Sequence, residues 1–132
     1  MKGTEVTPRR RTKADRAHAE DCPCRSCRNR RHTELVRSCL HYLATQPDYV
    51  GWKISPFIEG MPGRAAPNGI PDICGILGPR GRWCCFEAKT GAASLRATQR
   101  AWHAEARKFG ALVFEVRSVD DLAGFLDLAR RK

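Results

Sequence analysis

The first apolar pattern along the chain predicts an α-helix that begins at Thr33. Leucine, valine and cysteine side chains recur there every three or four residues, which places them on one face of a helix. Thr33 is a suitable N-cap, and Pro47 ends the pattern because proline cannot continue a helix. We therefore expect this helix to pack one apolar face against a core.

Three strand patterns follow the first helix. The stretch YVGWKI (49–54) is short and apolar, and the Gly- and Pro-rich residues 55–69 after it are expected to form a loop. The stretches IPDICGIL (70–77) and RWCCFEAK (82–89) are separated only by GPRG (78–81). Such a short turn predicts that these two strands pair as an antiparallel hairpin.

The C-terminal part of the chain predicts a helix, a strand and a second helix. Apolar side chains repeat at helical spacing over 97–109, and Gly110 is placed as a C-cap. The apolar stretch 111–117 is typical of a strand, and Ser118 can cap a last helix over 119–130. The order α-β-β-β-α-β-α combines a hairpin with a helical crossover. We therefore predict an α/β fold with a mixed central sheet flanked by helices.

Positive charge is concentrated at the N-terminus. The 132 residues carry a formal net charge of +10, and residues 1–32 contain ten Lys or Arg against four Asp or Glu. Residues 1–21 lack apolar periodicity, which predicts a flexible arm. We therefore divide the chain into a basic, cysteine-containing arm (1–32) and one folded domain (33–132). The charge favours a polyanionic partner, of which nucleic acid is the simplest.

Composition also narrows the class of protein. Charged residues make up 29% of the chain, and the mean hydropathy is −0.50. The sequence has neither an apolar run that could span a membrane nor the apolar region of a signal peptide. We expect a soluble cytoplasmic protein without a membrane partner. Its seven cysteines, an odd number, are expected to stay reduced.

The strand over 82–89 ends in an unusual pair of charges. Side chains alternate along a strand, so Glu87 and Lys89 project from the same side. The hairpin pairing is expected to bring Asp72 close to both. Two carboxylates and an ammonium at one end of a sheet suit metal-assisted hydrolysis of a phosphodiester, because carboxylates hold a hard cation such as Mg²⁺. The alternative is an exposed ion pair without a catalytic role.

Four short motifs follow one another along the predicted domain. They are Gly-x-Pro-Asp at 69–72, Glu-x-Lys at 87–89, Gln99 early in the next helix and Val-Arg-Ser at 116–118. Together they resemble the VRR-NUC family of the PD-(D/E)XK nuclease superfamily, over residues 33–129. The resemblance implies a restriction-endonuclease-like core and a divalent-metal-dependent DNA endonuclease.

The resemblance also implies roles for single residues. Mg²⁺ or Mn²⁺ would be held by Asp72, Glu87 and the carbonyl of Ala88, and Lys89 would position the attacking water. The family places a glutamate of its first helix near the metal, a position that Glu34 matches. The alternative for Glu34 is that it only complements the positive end of the helix dipole.

Further expectations concern the substrate and the assembly. The resemblance implies that Gln99 supports Lys89 or the substrate, and we expect Arg96, at the start of the same helix, to contact DNA. Stand-alone members of the family look like small homodimeric enzymes of phage or bacterial origin, and resemble Holliday-junction resolvases in cutting branched DNA. A symmetric cut needs two active sites, which a dimer supplies. Flaps and RNA are alternative substrates, and a non-catalytic zinc-containing nucleic-acid-binding protein is the alternative function.

Three cysteines lie within six residues of the arm, and a histidine follows five residues later: Cys22, Cys24, Cys27 and His32. Such a set is a plausible tetrahedral zinc site. His18 and Cys39 are alternative fourth ligands, and an iron–sulfur cluster or unliganded thiols are alternative states. A bound zinc ion would fix four neighbouring arginines as a phosphate-binding patch, namely Arg25, Arg28, Arg30 and Arg31.

Overall fold

The computed structural model describes His18 and residues 20–55 and 68–132. Within them, three helices and four strands follow one another in the predicted order. Their bounds are α1 Arg25–Ala44, β1 Tyr49–Lys53, β2 Ile73–Leu77, β3 Arg82–Ala88, α2 Ala97–Lys108, β4 Leu112–Val116 and α3 Val119–Arg130. Most of the predicted arm over 1–21 and of the predicted loop over 55–69 lies outside the described residues.

The four strands form one mixed sheet in the order β1-β2-β3-β4. β2 pairs antiparallel with both β1 and β3, whereas β3 and β4 are parallel. A parallel pair needs a crossover connection, and α2 supplies it. The predicted α/β class, the hairpin and the mixed sheet are confirmed. The arrangement agrees with a restriction-endonuclease-like core.

Helices cover both faces of this sheet. α1 and α3 pack on one face, where Val36 and Phe86 belong to the same buried cluster. α2 packs on the other face, where Trp102 packs against the cluster that contains Cys85. Since side chains alternate along β3, Glu87 projects towards α2, as Cys85 does. None of the helices in the described ranges is long and apolar enough to cross a membrane.

Helix α1 begins at Arg25, eight residues before the predicted start at Thr33. Cys24 has an extended backbone and acts as the N-cap, since its sulfur accepts a hydrogen bond from the Cys27 N–H at 3.5 Å. The predicted start of this helix at Thr33 is therefore wrong. The expected division between residues 32 and 33 falls inside one continuous helix.

None of the seven cysteines, all of which belong to the described part of the chain, forms a disulfide. Four of them are buried in the core: Cys39, Cys74, Cys84 and Cys85. Burial raises the pKa of the Cys39 thiol to about 11 and that of the Cys84 thiol to about 12. These thiols act as small apolar side chains.

Candidate functional site

The carboxylates of Asp72 and Glu87 meet at one end of the β2–β3 hairpin. Ile73 pairs with Phe86, so Asp72 lies opposite Glu87 in the ladder. The Oδ2 atom of Asp72 accepts a hydrogen bond from the Ala88 N–H at 2.9 Å, which fixes the carboxylate beside β3. The structure thus brings together the two acidic residues that the hairpin pattern predicted to be neighbours.

The backbone before Asp72 is packed tightly against α2. Gly69 has φ of +89°, a left-handed conformation that favours glycine. A Cβ atom at this position would collide with the backbone of Thr98, in the first turn of α2. Pro71 is fully buried. The Gly-x-Pro-Asp motif therefore sets the direction in which the chain approaches β2 and delivers Asp72 to the site.

Glu87 is a buried carboxylate with an unusual environment. Its side chain is 3% exposed. Its Oε1 atom accepts a hydrogen bond from Gln99 Nε2 at 2.6 Å and lies 3.4 Å from Lys89 Nζ. Burial, assisted by the nearby charge of Asp72, raises the pKa of Glu87 to about 7, although Lys89 acts in the opposite direction. Among the described residues, Oε2 has no hydrogen-bond partner.

Such an orphaned buried oxygen is destabilising unless a donor or a cation satisfies it. Oε2 therefore fits a metal ligand better than it fits a purely structural carboxylate. The hard oxygen atoms of Asp72 and Glu87 are the donors that Mg²⁺ or Mn²⁺ prefers. The donor set thus fits the divalent ion implied by the sequence motifs.

Gln99 connects the two charged groups at the end of β3. Its amide oxygen accepts hydrogen bonds from Lys89 Nζ and from the Arg96 backbone N–H, both at 2.9 Å, while its amide nitrogen donates to Glu87. Gln99 is 5% exposed, so this network lies largely out of solvent. One side chain therefore caps the start of α2 and fixes Glu87 and Lys89 relative to each other.

His32 belongs to this site and not to the cysteine cluster. Its Nε2 atom lies 3.2 Å from Asp72 Oδ2. The hydrogen bond to Asp72 raises the pKa of His32, and burial opposes this shift. Since α1 is continuous, His32 lies about 140° around the helix and about 7.5 Å along it from Cys27. The expectation that His32 completes the cysteine set is therefore corrected.

Glu34 does not reach the carboxylate pair. It is exposed on α1 and lines a surface groove that also includes Glu20 and Arg30. Residues two positions apart on a helix differ by about 200° in direction, so Glu34 and His32 project to opposite sides. Because His32 contacts Asp72, it occupies the place on α1 that the family resemblance assigned to Glu34.

A second groove, with a volume of about 580 Å³, runs between the N-terminal half of α1 and the loop that follows β3. Arg28 and His32 line one wall, and Thr90 and Gly91 line the other. The groove therefore lies directly beside Asp72 and Lys89. Its position makes it a candidate path for a phosphate backbone.

Arg117, the middle residue of the Val-Arg-Ser motif, holds the loop that forms the second wall of this groove. The Arg117 guanidinium donates to the carbonyl oxygens of Gly91 at 2.8 Å and of Ala93 at 2.6 Å. It also forms an ion pair with Glu115 at 2.8 Å. The Val-Arg-Ser motif therefore fixes the loop after β3, a role that no local pattern revealed.

The predicted DNA-binding arginines have different surroundings. Arg31 donates to the backbone oxygens of Glu20 at 3.1 Å and Cys22 at 2.8 Å, which gives it a structural role. The others are exposed, three of them on the first turns of α1 and the fourth at the start of α2: Arg25, Arg28, Arg30 and Arg96.

Three cysteines and a histidine form a second cluster at the start of α1: His18, Cys22, Cys24 and Cys27. One ligand atom from each lies within 4.8 Å of all the others. Hydrogen bonds with Ser26 and the Cys27 N–H lower the pKa of Cys24 to about 6. The fourth member is thus His18, one of the alternatives considered, while Cys39 is a core residue of α1.

Comparisons with known proteins give a likeness to a solved structure. A solved structure titled "VRR_NUC domain" is 26% identical in sequence and aligns with a TM-score of 0.48, covering 76% of this chain and 94% of that one. Its title names the family that the sequence motifs resemble. No protein-family model matches the sequence, and no curated protein matches it either.

Proposed function

We propose that this protein is a divalent-metal-dependent DNA endonuclease that cuts branched DNA as a homodimer. The observation that carries the proposal is the arrangement around Glu87. A buried oxygen of Glu87 that has no hydrogen-bond partner among the described residues belongs to a site where a second carboxylate, from Asp72, and an ammonium, from Lys89, converge. In a purely structural ion pair the buried oxygens are as a rule satisfied by hydrogen bonds.

The carboxylates of Asp72 and Glu87, with the carbonyl of Ala88, would hold Mg²⁺ or Mn²⁺. The bound cation would neutralise charge on the phosphate and lower the pKa of a water ligand. His32 contributes differently from the glutamate expected on this helix, because it orients Asp72 through their hydrogen bond. Glu34 has no part in this site.

Lys89 is held in place for the hydrolysis. One of its three N–H donors goes to Gln99, and a second faces Glu87. The third is left to orient a water molecule or to stabilise negative charge on a phosphate oxygen. Water adds to phosphorus, one ester P–O bond breaks, and the products are a phosphomonoester end and a hydroxyl end.

The groove between α1 and the loop after β3 supports a nucleic-acid substrate. We call it the basic groove, because two arginines and one aspartate line it, namely Arg28, Arg31 and Asp21. Exposed Arg28 lines it next to His32, so a phosphate backbone lying there would pass the carboxylate pair. Such contacts neutralise phosphates without reading bases, so they suit recognition by shape. This favours branched DNA over a defined sequence.

The homodimer is supported by the symmetry of junction cleavage, which requires two active sites. It is also supported by apolar side chains that stay exposed on the sheet face shared with α2. Val50 is 64% exposed, Trp52 47% and Ile76 39%. A second copy that packed on this face would remove their apolar surface from water.

The test is cleavage of a labelled four-way junction, a flap, a plain duplex and a single-stranded RNA, each with Mg²⁺, with Mn²⁺ and without added metal. We expect metal-dependent cleavage of the junction by wild type, and a loss of about 10²–10³-fold in Lys89→Ala. Lys108→Ala is the matched control, because Lys108 is 72% exposed at the far end of α2. Its cleavage should equal that of wild type.

Other outcomes separate the rival functions. Binding of the junction without cleavage under any metal would overturn the nuclease and favour a non-catalytic nucleic-acid-binding protein. Metal-dependent cleavage of the flap or the RNA, with the junction intact, would keep the nuclease and overturn the substrate. Light scattering on the same preparation measures the mass in solution, and a monomer that cuts both junction strands together would contradict the homodimer.

A further inference from the structure

The cluster of His18, Cys22, Cys24 and Cys27 has the composition of a closed tetrahedral site. Four ligand atoms, one from each side chain, lie within 4.8 Å of one another. The distance from His18 Nδ1 to Cys27 Sγ is 3.3 Å, and that to Cys24 Sγ is 4.0 Å. Cys22 and Cys27 are 7% and 3% exposed. Neither the core nor the carboxylate pair explains why four such side chains should converge here.

The spacing fits one small ion. A tetrahedral zinc ion with bonds of about 2.3 Å to sulfur holds its sulfur ligands about 3.8 Å apart. None of the distances between the four ligand atoms exceeds that value by more than about 1 Å. A cluster with several iron atoms would separate some of the ligands further, because its four protein ligands are divided among two or more irons. Four protein donors also leave no position for a substrate, so such a site is structural.

Neighbouring groups suit the charge that zinc binding would create. Three thiolates and a neutral imidazole around Zn²⁺ carry a net charge of −1 once the thiols have released their protons to solvent. The Arg30 guanidinium lies 4.0 Å from Cys27 Sγ, and the Cys27 N–H points at Cys24 Sγ. Both groups stabilise negative sulfur, as the surroundings of metal ligands commonly do.

We propose that His18, Cys22, Cys24 and Cys27 bind one structural zinc ion at the start of α1. The ion would tie the segment before the helix to its first turn. Arg31 already joins the same two parts through its hydrogen bonds to Glu20 and Cys22. The zinc ion would therefore fix the wall of the basic groove that leads to His32.

The test is the metal content of the purified full-length chain, measured by mass spectrometry of the elements. Wild type should contain about one zinc per chain, and Cys24→Ser should contain less than about a tenth of that amount. His32→Ala and His41→Ala are matched controls from the same helix, and both should retain the zinc. His41 is exposed and lies outside both clusters.

Cobalt substitution identifies the ligands without relying on a destabilised variant. Cobalt bound to wild type should give the charge-transfer and d–d bands of a tetrahedral thiolate site. The d–d bands should shift in His18→Ala and stay unchanged in His32→Ala. The reverse result would overturn the ligand set.

Iron with sulfide, or no bound metal in wild type, would overturn the proposal altogether. These readouts do not depend on cleavage, so a failure of the zinc site and a failure of the proposed nuclease can be told apart.

Discussion

The two clusters of ligand side chains differ in their donor atoms and in the elements that hold them. Asp72 and Glu87 offer hard oxygen atoms from paired strands. His18 and the three cysteines offer sulfur and nitrogen from the start of a helix and the segment before it. Oxygen donors select Mg²⁺ or Mn²⁺, whereas thiolates and imidazole select zinc. One short chain thus separates a cluster of oxygen donors from a cluster of sulfur and nitrogen donors.

The two sites also differ in how far the fold alone can build them. The hydrogen-bonded ladder of β2 and β3 and the Gln99 network fix the carboxylates without any ion. The four side chains of the cysteine cluster belong to neither of the two buried apolar clusters. Helix α1 joins the sites, because it begins beside Cys27 and presents His32 to Asp72. We therefore expect that substitutions can abolish either site without affecting the other.

Glu87→Gln is expected to give the largest difference between the effect on cleavage and the effect on zinc content. This change removes the charge of Glu87, so the rate of junction cleavage should fall about 10³-fold, equivalent to about 4 kcal/mol of transition-state stabilisation. The zinc content should remain that of wild type, because the cysteine cluster shares no ligand with the carboxylate site. Single-turnover cleavage and elemental analysis of the same sample measure both quantities. Loss of zinc together with cleavage would contradict the independence of the two sites.

Only part of the carboxylate site could be predicted from the sequence. The pairing of Asp72 with Glu87 follows from a four-residue turn and from alternation along two strands, both of which are local patterns. The orphaned Oε2 of Glu87 and the bridging role of Gln99 depend on how α2 packs on the sheet. Sequence patterns do not carry that information.

His32 was assigned wrongly because the start of α1 was placed too late. A cysteine thiol caps this helix, whereas the usual caps are serine, threonine, aspartate and asparagine. The apolar face of α1 includes Val36, Cys39 and Leu43. Continued backwards by one turn, the same face reaches His32. A helix beginning at Arg25 would therefore have predicted both the position of His32 and the exposure of Glu34.

His32→Ala and Glu34→Ala form a matched pair that tests this assignment. His32 orients Asp72 through its hydrogen bond, and loss of such a supporting contact to a metal ligand is expected to lower cleavage about 10-fold to 100-fold. Glu34→Ala should change cleavage by less than about 2-fold, since surface substitutions away from a site have small effects. The Mg²⁺ concentration for half-maximal cleavage should rise only in His32→Ala. Equal losses in both variants would restore Glu34 as a ligand.

The smallest expected effect is the pH dependence of stability in buffer without divalent ions. Burial raises the pKa of Glu87 to about 7 from an ordinary value of 4.5, so between these values the folded state binds more protons than the unfolded state. The free energy of unfolding should therefore fall as pH rises through this window. His32 adds to the trend, because its pKa is also raised in the folded state. The stability that His32 contributes is fully present below the ordinary pKa of histidine. It is lost as pH rises through the pKa that His32 has in the folded state.

Glu87→Gln isolates the contribution of the carboxylate. Urea unfolding at about pH 5.5 and at about pH 8 measures this contribution. Between the two pH values, the free energy of unfolding should decrease by about 1–2 kcal/mol more in wild type than in Glu87→Gln, since other titrating groups are common to both. Added Mg²⁺ should stabilise wild type more at about pH 8 than at about pH 5.5, because only the deprotonated carboxylate binds the ion. Equal pH dependence in the two proteins would mean that the fold does not raise the pKa of Glu87. That result would contradict the burial of its carboxylate in an environment that disfavours the charged form.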